Sequence, residues 1–175
     1  MTTKPPEPEF SVPFLVERLG RSPATERIAA NADQCAKLAK RMGLVAIDRL
    51  EATVSLQRLA GGEVVHVSGI LQADIVQTCV VTLTPFATRV EEDFEDDFSE
   101  NAEMPEEISL AMDEDLPEPI ENGVIDIGEL VAQFLALSLD PYPRSPGAAL
   151  DEVWAGPGPE SLSPFAVLRN VKPKE

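Results

Sequence analysis

The strongest constraint on the fold is a double run of strict alternation hinged on Gly61-Gly62. Before the hinge Leu50, Ala52, Val54 and Leu56 alternate with Glu51, Thr53, Ser55 and Gln57; after it Val65, Val67, Gly69, Leu71, Ala73 and Ile75 alternate with His66, Ser68, Ile70, Gln72 and Asp74. Successive strand residues point to opposite faces, so this pattern demands an antiparallel hairpin with one apolar and one more polar face. A third strand is expected from about Gln77 to Thr84, interrupted by Pro85. Ala87–Phe98 then continues as an edge strand with Val90, Phe94 and Phe98 as its apolar residues. The carboxylates along it discourage edge-to-edge pairing.

A sheet with one apolar face needs cover. Asn31 reads as an N-cap with Gln34 as capping-box partner, and Ala32, Cys35, Leu38, Ala39 and Met42 share one helical face before Gly43. The spacing predicts a helix over about 32–42. Asp126 reads as a second N-cap with Glu129 at the third helical position. Ile127, Leu130, Val131, Phe134 and Leu135 form the stripe of a helix ending near Leu139, before Pro141 and Pro143. Pro13 makes the FSVPFLV run at 10–16 an edge strand or a bulge, and Glu26–Ala30 reads as another short strand. The fold class is α+β: an antiparallel β-meander, either an open sheet or a partly closed barrel, packed with two main helices. Residues 1–9 are expected to be a Pro-rich, disordered tail and 10–147 the domain. Residues 148–175 read as a Gly/Pro-rich linker and tail, with a short helix expected from Ser163-Pro164.

Charge is distributed unevenly. The chain carries 31 acidic and 14 basic residues, net −17, yet 16 of the acids lie between Glu91 and Asp126, where there is no Lys or Arg. The rest, 15 acids against 14 bases, is nearly neutral. Such a run reads as a solvated, mobile loop, with a flexible acidic insertion at about 99–122 between the last strand and the second helix. A mobile acidic segment can also dock a basic partner, which makes Glu91, Glu92, Asp93, Glu95, Asp96 and Asp97 candidate partner-binding residues. Lys37, Lys40 and Arg41 are the candidates for the opposite reading, a modest basic patch around the first helix that meets RNA phosphates. Aromatics are only 5% of the chain, too few for a base-stacking sheet.

No triad spacing and no phosphate-cradling Gly-rich loop is present, and the carboxylates cluster where rigid positioning is hard. No catalytic, cofactor-binding or metal-ligating residues are therefore expected. Cys35 reads as core, Cys79 as a small buried hydrophobe on the third strand, His66 as a surface residue, and Gly69 as a point of close packing or a bulge. No apolar run approaches the roughly 20 residues that cross a bilayer, and the N-terminus lacks a signal peptide's apolar stretch. With only two cysteines, the chain reads as cytoplasmic.

Two stretches, VSGILQADIVQTCVVTLTPF at 67–86 and GVIDIGELVAQFLALSLDPYPRSPG at 123–147, together with the capped helix before them, resemble the YceD family, particularly its alphaproteobacterial form. The resemblance runs from about Phe10 to Gly147, with a weaker echo in SPFAVL. It marks Gly69, Cys79, Thr82, Pro85, Asp126, Glu129, Pro141 and Pro143 as structural motif positions. It implies a role in accumulation or processing of large-subunit ribosomal RNA, and no enzymatic activity. Many members carry Cys-x-x-Cys on the third strand and another Cys after the second helix. Here Thr82 takes the second position and 141–146 has no cysteine, so a zinc site needing about four N or S ligands is not expected. The combined expectation is a non-enzymatic ribosome-biogenesis factor acting mainly through a basic ribosomal or assembly protein, touching ribosomal RNA directly or indirectly. The alternative is a direct RNA-binding module. Oligomeric state is left open.

Overall fold

The computed structural model describes residues 8–20, 22–59, 61–101 and 116–148. The alternating runs form β3 (Ala46–Arg58) and β4 (Val64–Thr78), antiparallel from Arg58 opposite Val65 to Ala46 opposite Val76, with a bulge between Ile47 and Arg49. β2 (Ala24–Ala29) flanks β3, β5 (Pro85–Ser99) flanks β4, and β6 (Glu118–Pro119) runs parallel to the last two residues of β5. The order β2-β3-β4-β5-β6 is linear, so the sheet is open. β1 (Pro13–Leu15) pairs antiparallel with β7 (Val124–Asp126) in a separate two-stranded ribbon, and Pro13 thus lies in a two-stranded edge pairing.

The expected third strand over Gln77–Thr84 is replaced by something else. β4 runs on to Thr78, and Cys79–Thr84 is the reversal into β5. Cys79 N–H donates to the Thr84 carbonyl and Leu83 N–H to the Cys79 carbonyl, both at 2.9 Å. Leu83 adopts φ 58°, a left-handed conformation unusual for a branched residue. Pro85 does not interrupt a strand but heads β5, opposite Thr78. At the first position of a strand its missing N–H is tolerated. Alternation alone could not distinguish two short strands from one long one followed by a turn.

α1 (Ala32–Met42) carries the full capping box: Asn31 Oδ1 accepts from Gln34 N–H at 3.0 Å, and Gln34 Oε1 accepts from Asn31 N–H at 2.9 Å. Gly43 closes the helix at φ 69°. Cys35, Leu38 and Ala39 face the core and pack toward β3. α2 (Ile127–Ser138) buries Ile127, Leu130, Val131, Ala132 and Leu135 against β1, β4 and β5. Both helices thus cover one face of the sheet. There Leu50, Val54, Leu56, Val65, Val67, Leu71 and Ile75 are almost completely buried. Each such side chain contributes roughly 1.5–3 kcal/mol of transfer free energy.

The N-terminal segment is locked to the start of α2. Asp126 Oδ1 accepts from Gly128 and Glu129 N–H, both at 3.1 Å, and from Val12 N–H at 2.8 Å, while Oδ2 accepts from Ser11 Oγ at 2.6 Å. A Cβ on Gly128 would lie 2.6 Å from the Phe10 carbonyl oxygen, so this glycine lets the segment cross over the first helical turn.

Candidate functional site

β5 places the acids. Its register sets Asp97 opposite His66, Glu95 opposite Ser68, Asp93 opposite Ile70 and Glu91 opposite Gln72. Those four β4 residues belong to the face away from the helices, so the four carboxylates stand in one row there, about 7 Å apart along the strand. Glu92 and Asp96 alternate to the other side, toward Phe94 and Phe98, which are buried in the core. The edge strand expected over Ala87–Phe98 is present within β5, so the broader reading of the whole acidic run as mobile loop does not hold for 91–99. The apolar anchors Phe94 and Phe98, with Phe94 stacked on Phe134 at 5.0 Å, hold this stretch as strand. The ends of the expected insertion are also tied: Ser99 completes β5, and Ile120 N–H donates to the Ser99 carbonyl at 2.9 Å. Residues 102–115 of that insertion lie outside the described residues.

The row is only partly compensated. His66 Nδ1 meets Asp97 Oδ1 at 2.7 Å, and Gln72 Nε2 donates to Glu91 Oε2 at 3.1 Å. Arg89 turns its guanidinium to the Gln72 amide oxygen at 3.2 Å. Asp93 and Glu95 have no hydrogen bond or ion pair among the described residues. On β6 the Glu118 carboxyl is pushed above its ordinary range, first by burial and then by the negative charge of Asp96.

The basic candidates fare differently. Lys37 pairs with Asp33 at 2.7 Å. Arg41 is a clamp: its Nη1 reaches Glu9 at 2.9 Å and Glu129 at 3.0 Å, and its Nη2 reaches the second Glu129 oxygen at 2.8 Å. These hydrogen bonds, Glu129's first, hold its guanidinium even more firmly protonated than usual. Lys40 alone of the three is without an ion pair among the described residues. Glu129 therefore spends its side chain on Arg41 and not on closing a capping box with Asp126. The fold gathers the acids and spends two of the three bases on internal pairing.

The motif positions hold the frame. A Cβ on Gly69 would lie 2.6 Å from the Thr53 carbonyl oxygen and 2.7 Å from Phe94 Cζ, so Gly69 is a point of close packing. Cys79 is buried, as expected, but in the reversal after β4 and not on a strand. Its sulfur accepts from Thr82 N–H at 3.4 Å. Hydrogen bonds from the Ser145 side chain and backbone and then from Thr82 draw the thiol down to about 6. Val80 N–H donates to the Pro143 carbonyl at 2.9 Å, tying the reversal to the loop after α2, which contains Pro141. Sequence reasoning missed Ser145, the Arg41 clamp and Gly128. For Gly128 a signal existed, since a glycine in the first turn of a helix costs stability unless space demands it.

Residues 67–172 match the family described as Large ribosomal RNA subunit accumulation protein YceD, more than half of the chain. The chain belongs to the YceD family. The match takes in the acidic strand β5, the Cys79 reversal and α2. No curated protein and no solved structure matches the chain. Membership in YceD places this protein in ribosome biogenesis, in accumulation of the large-subunit ribosomal RNA. Among the described residues no helix is long and apolar enough to cross a membrane.

Proposed function

We propose that this YceD protein supports accumulation of large-subunit ribosomal RNA as a non-catalytic, cytoplasmic factor that holds a basic protein of the assembly pathway against the acidic face of β5. The observation that carries this reading is the contrast between the two charge sets. Glu91, Asp93, Glu95 and Asp97 are fixed in a row with Asp93 and Glu95 uncompensated, whereas Lys37 and Arg41 are consumed by Asp33, Glu9 and Glu129. Fixed like charges repel one another, and a cationic partner relieves that repulsion. RNA phosphates approaching a chain of net charge −17 meet the opposite situation. The absence of catalysis is supported by the setting of the carboxylates, which line a strand face and do not converge on a reacting centre.

The test is crosslinking in cells with identification of both protein and RNA contacts, repeated with a variant carrying Asp93→Asn and Glu95→Gln. The reading expects a protein contact that survives nuclease, weakens at high salt and is depleted in the variant. RNA crosslinks centred on Lys40, undisturbed by the variant, with no nuclease-resistant protein contact, would overturn it in favour of direct RNA binding.

A further inference from the structure

β5 is hydrogen-bonded along its whole length to β4, from Thr78 opposite Pro85 to Val64 opposite Ser99. On its other side only Phe98 and Ser99 are paired, with Glu118 and Pro119 of β6. Among the described residues no strand or backbone hydrogen bond covers that edge between Pro85 and Asp97. β6 demonstrates that the edge accepts a strand, and no other described residue fills the slot beside it. We propose that this open edge is a docking site for an extended, Lys/Arg-rich segment of a partner protein, which adds to the sheet as a further strand. The proposal rests on the reading that the acidic face meets a basic protein, and it specifies how.

An unpaired strand offers alternating N–H and C=O groups that template another strand, and strand addition is a recurrent mode of peptide capture. Charges on an edge ordinarily serve to prevent such pairing, and a short edge or a single inward-pointing charge is enough for that purpose. Here six of the seven residues Glu91–Asp97 are acidic, all of one sign. β6, itself acidic, pairs only beyond the row, at Phe98 and Ser99; alongside the row a cationic strand is favoured over a neutral or acidic one. Because Glu91, Asp93, Glu95 and Asp97 point to one face and Glu92 and Asp96 to the other, a basic segment lying alongside finds carboxylates on both faces. Directly opposed residues sit about 5 Å apart, within reach of a Lys or Arg head group. The acidic stretch is about 23 Å long, which matches a segment of roughly seven residues.

The experiment uses the full chain and a synthetic peptide of about nine residues alternating Lys and Thr, with a second peptide N-methylated at consecutive central residues, so that both of its edges lose donors. N-methylation removes donors and leaves the charge unchanged. Affinity is read by anisotropy at low and high salt, and β5 amides by hydrogen exchange. Strand addition predicts that alternate amides within Glu91–Asp97 gain protection and that N-methylation weakens binding by about tenfold or more, the scale of one lost backbone hydrogen bond or two. Equal binding of both peptides with no change at β5 amides overturns strand addition while leaving the side-chain contacts of the proposed function standing. Absence of binding by any basic peptide overturns it too and assigns the acids to keeping sheets apart. Preferential binding of an oligoribonucleotide of similar length in the same assay overturns both readings.

Discussion

Replacing Gly69 by alanine isolates the packing on which the acidic strand depends. The added Cβ would meet the Thr53 carbonyl oxygen at 2.6 Å and Phe94 Cζ at 2.7 Å, and the next ring atom at 3.0 Å. No carbon sits that close to either partner, so one of them moves. The Thr53 carbonyl belongs to β3 and is held by the ladder, and the Phe94 ring is stacked on Phe134 of α2. Relief therefore comes only at the expense of the β3–β4 pairing or of the β5–α2 contact. Overpacking of this kind costs about 1–3 kcal/mol, and the reduced freedom of the unfolded chain returns about 0.4–1 kcal/mol. A net loss of about 1–2 kcal/mol lowers Tm by roughly 2–8 °C for a domain of this size. Thermal and urea melts of Gly69→Ala test the value, with Gly20→Ala as control, because no atom lies within 4 Å of that Cβ position. Combining Gly69→Ala with Phe94→Leu removes one of the two clashes, so the double variant is less destabilised than the sum of the singles. A Gly69→Ala melt at or above the wild-type temperature would refute the close-packing argument and leave β-propensity as the governing term.

Asp126→Ala removes one acceptor for three backbone N–H groups and a hydroxyl, and costs about 2–3 kcal/mol in urea unfolding; Asp126→Asn, which keeps the shared Oδ1 acceptor, recovers more than half. Arg41→Met cuts the tie from α1 to Glu9 and Glu129 and lowers stability by about 1 kcal/mol, a loss that shrinks as salt is raised. Cys79 titrates at about 6 in the folded protein, below its ordinary 9.0, so between these pH values the unfolded chain binds more protons and folding gains stability as pH rises. The Tm difference between wild type and Cys79→Ser should accordingly grow from pH 6 to pH 9, and a flat difference would contradict a hydrogen-bonded thiolate. Neutralising Asp93 and Glu95 together should leave Tm unchanged or raise it at low salt, since both carboxylates stand in a row of like charge.

Much of the frame was legible before any tertiary information. The hairpin across Gly61-Gly62, both helices with their N-caps, the C-terminal glycine of α1, the apolar anchors of β5 and the faces that became core all follow from local periodicity and capping chemistry. The β4–β5 reversal was misread because Val81 and Leu83 continue an alternating pattern while the backbone turns. What decides the turn is non-local: Pro143 and Ser145, contributed from beyond α2, hold Val80 and Cys79.

The candidate site divides the same way. Composition alone located the acids, because an excess of carboxylates needs no partner to be counted. The strand over 87–98 was legible from Val90, Phe94 and Phe98, but what holds it in place is Phe94 stacking on Phe134 and fitting over Gly69, a contact between residues far apart in the chain. The fate of Arg41 depended on meeting Glu9 and Glu129, which no spacing rule relates, whereas the Asp33–Lys37 pair follows the i,i+4 spacing of a helix. Alternation and capping are short-range preferences written into neighbouring residues. The rigidity of the acidic row and the capture of Arg41 come from long-range packing, and only the folded chain brings those partners together.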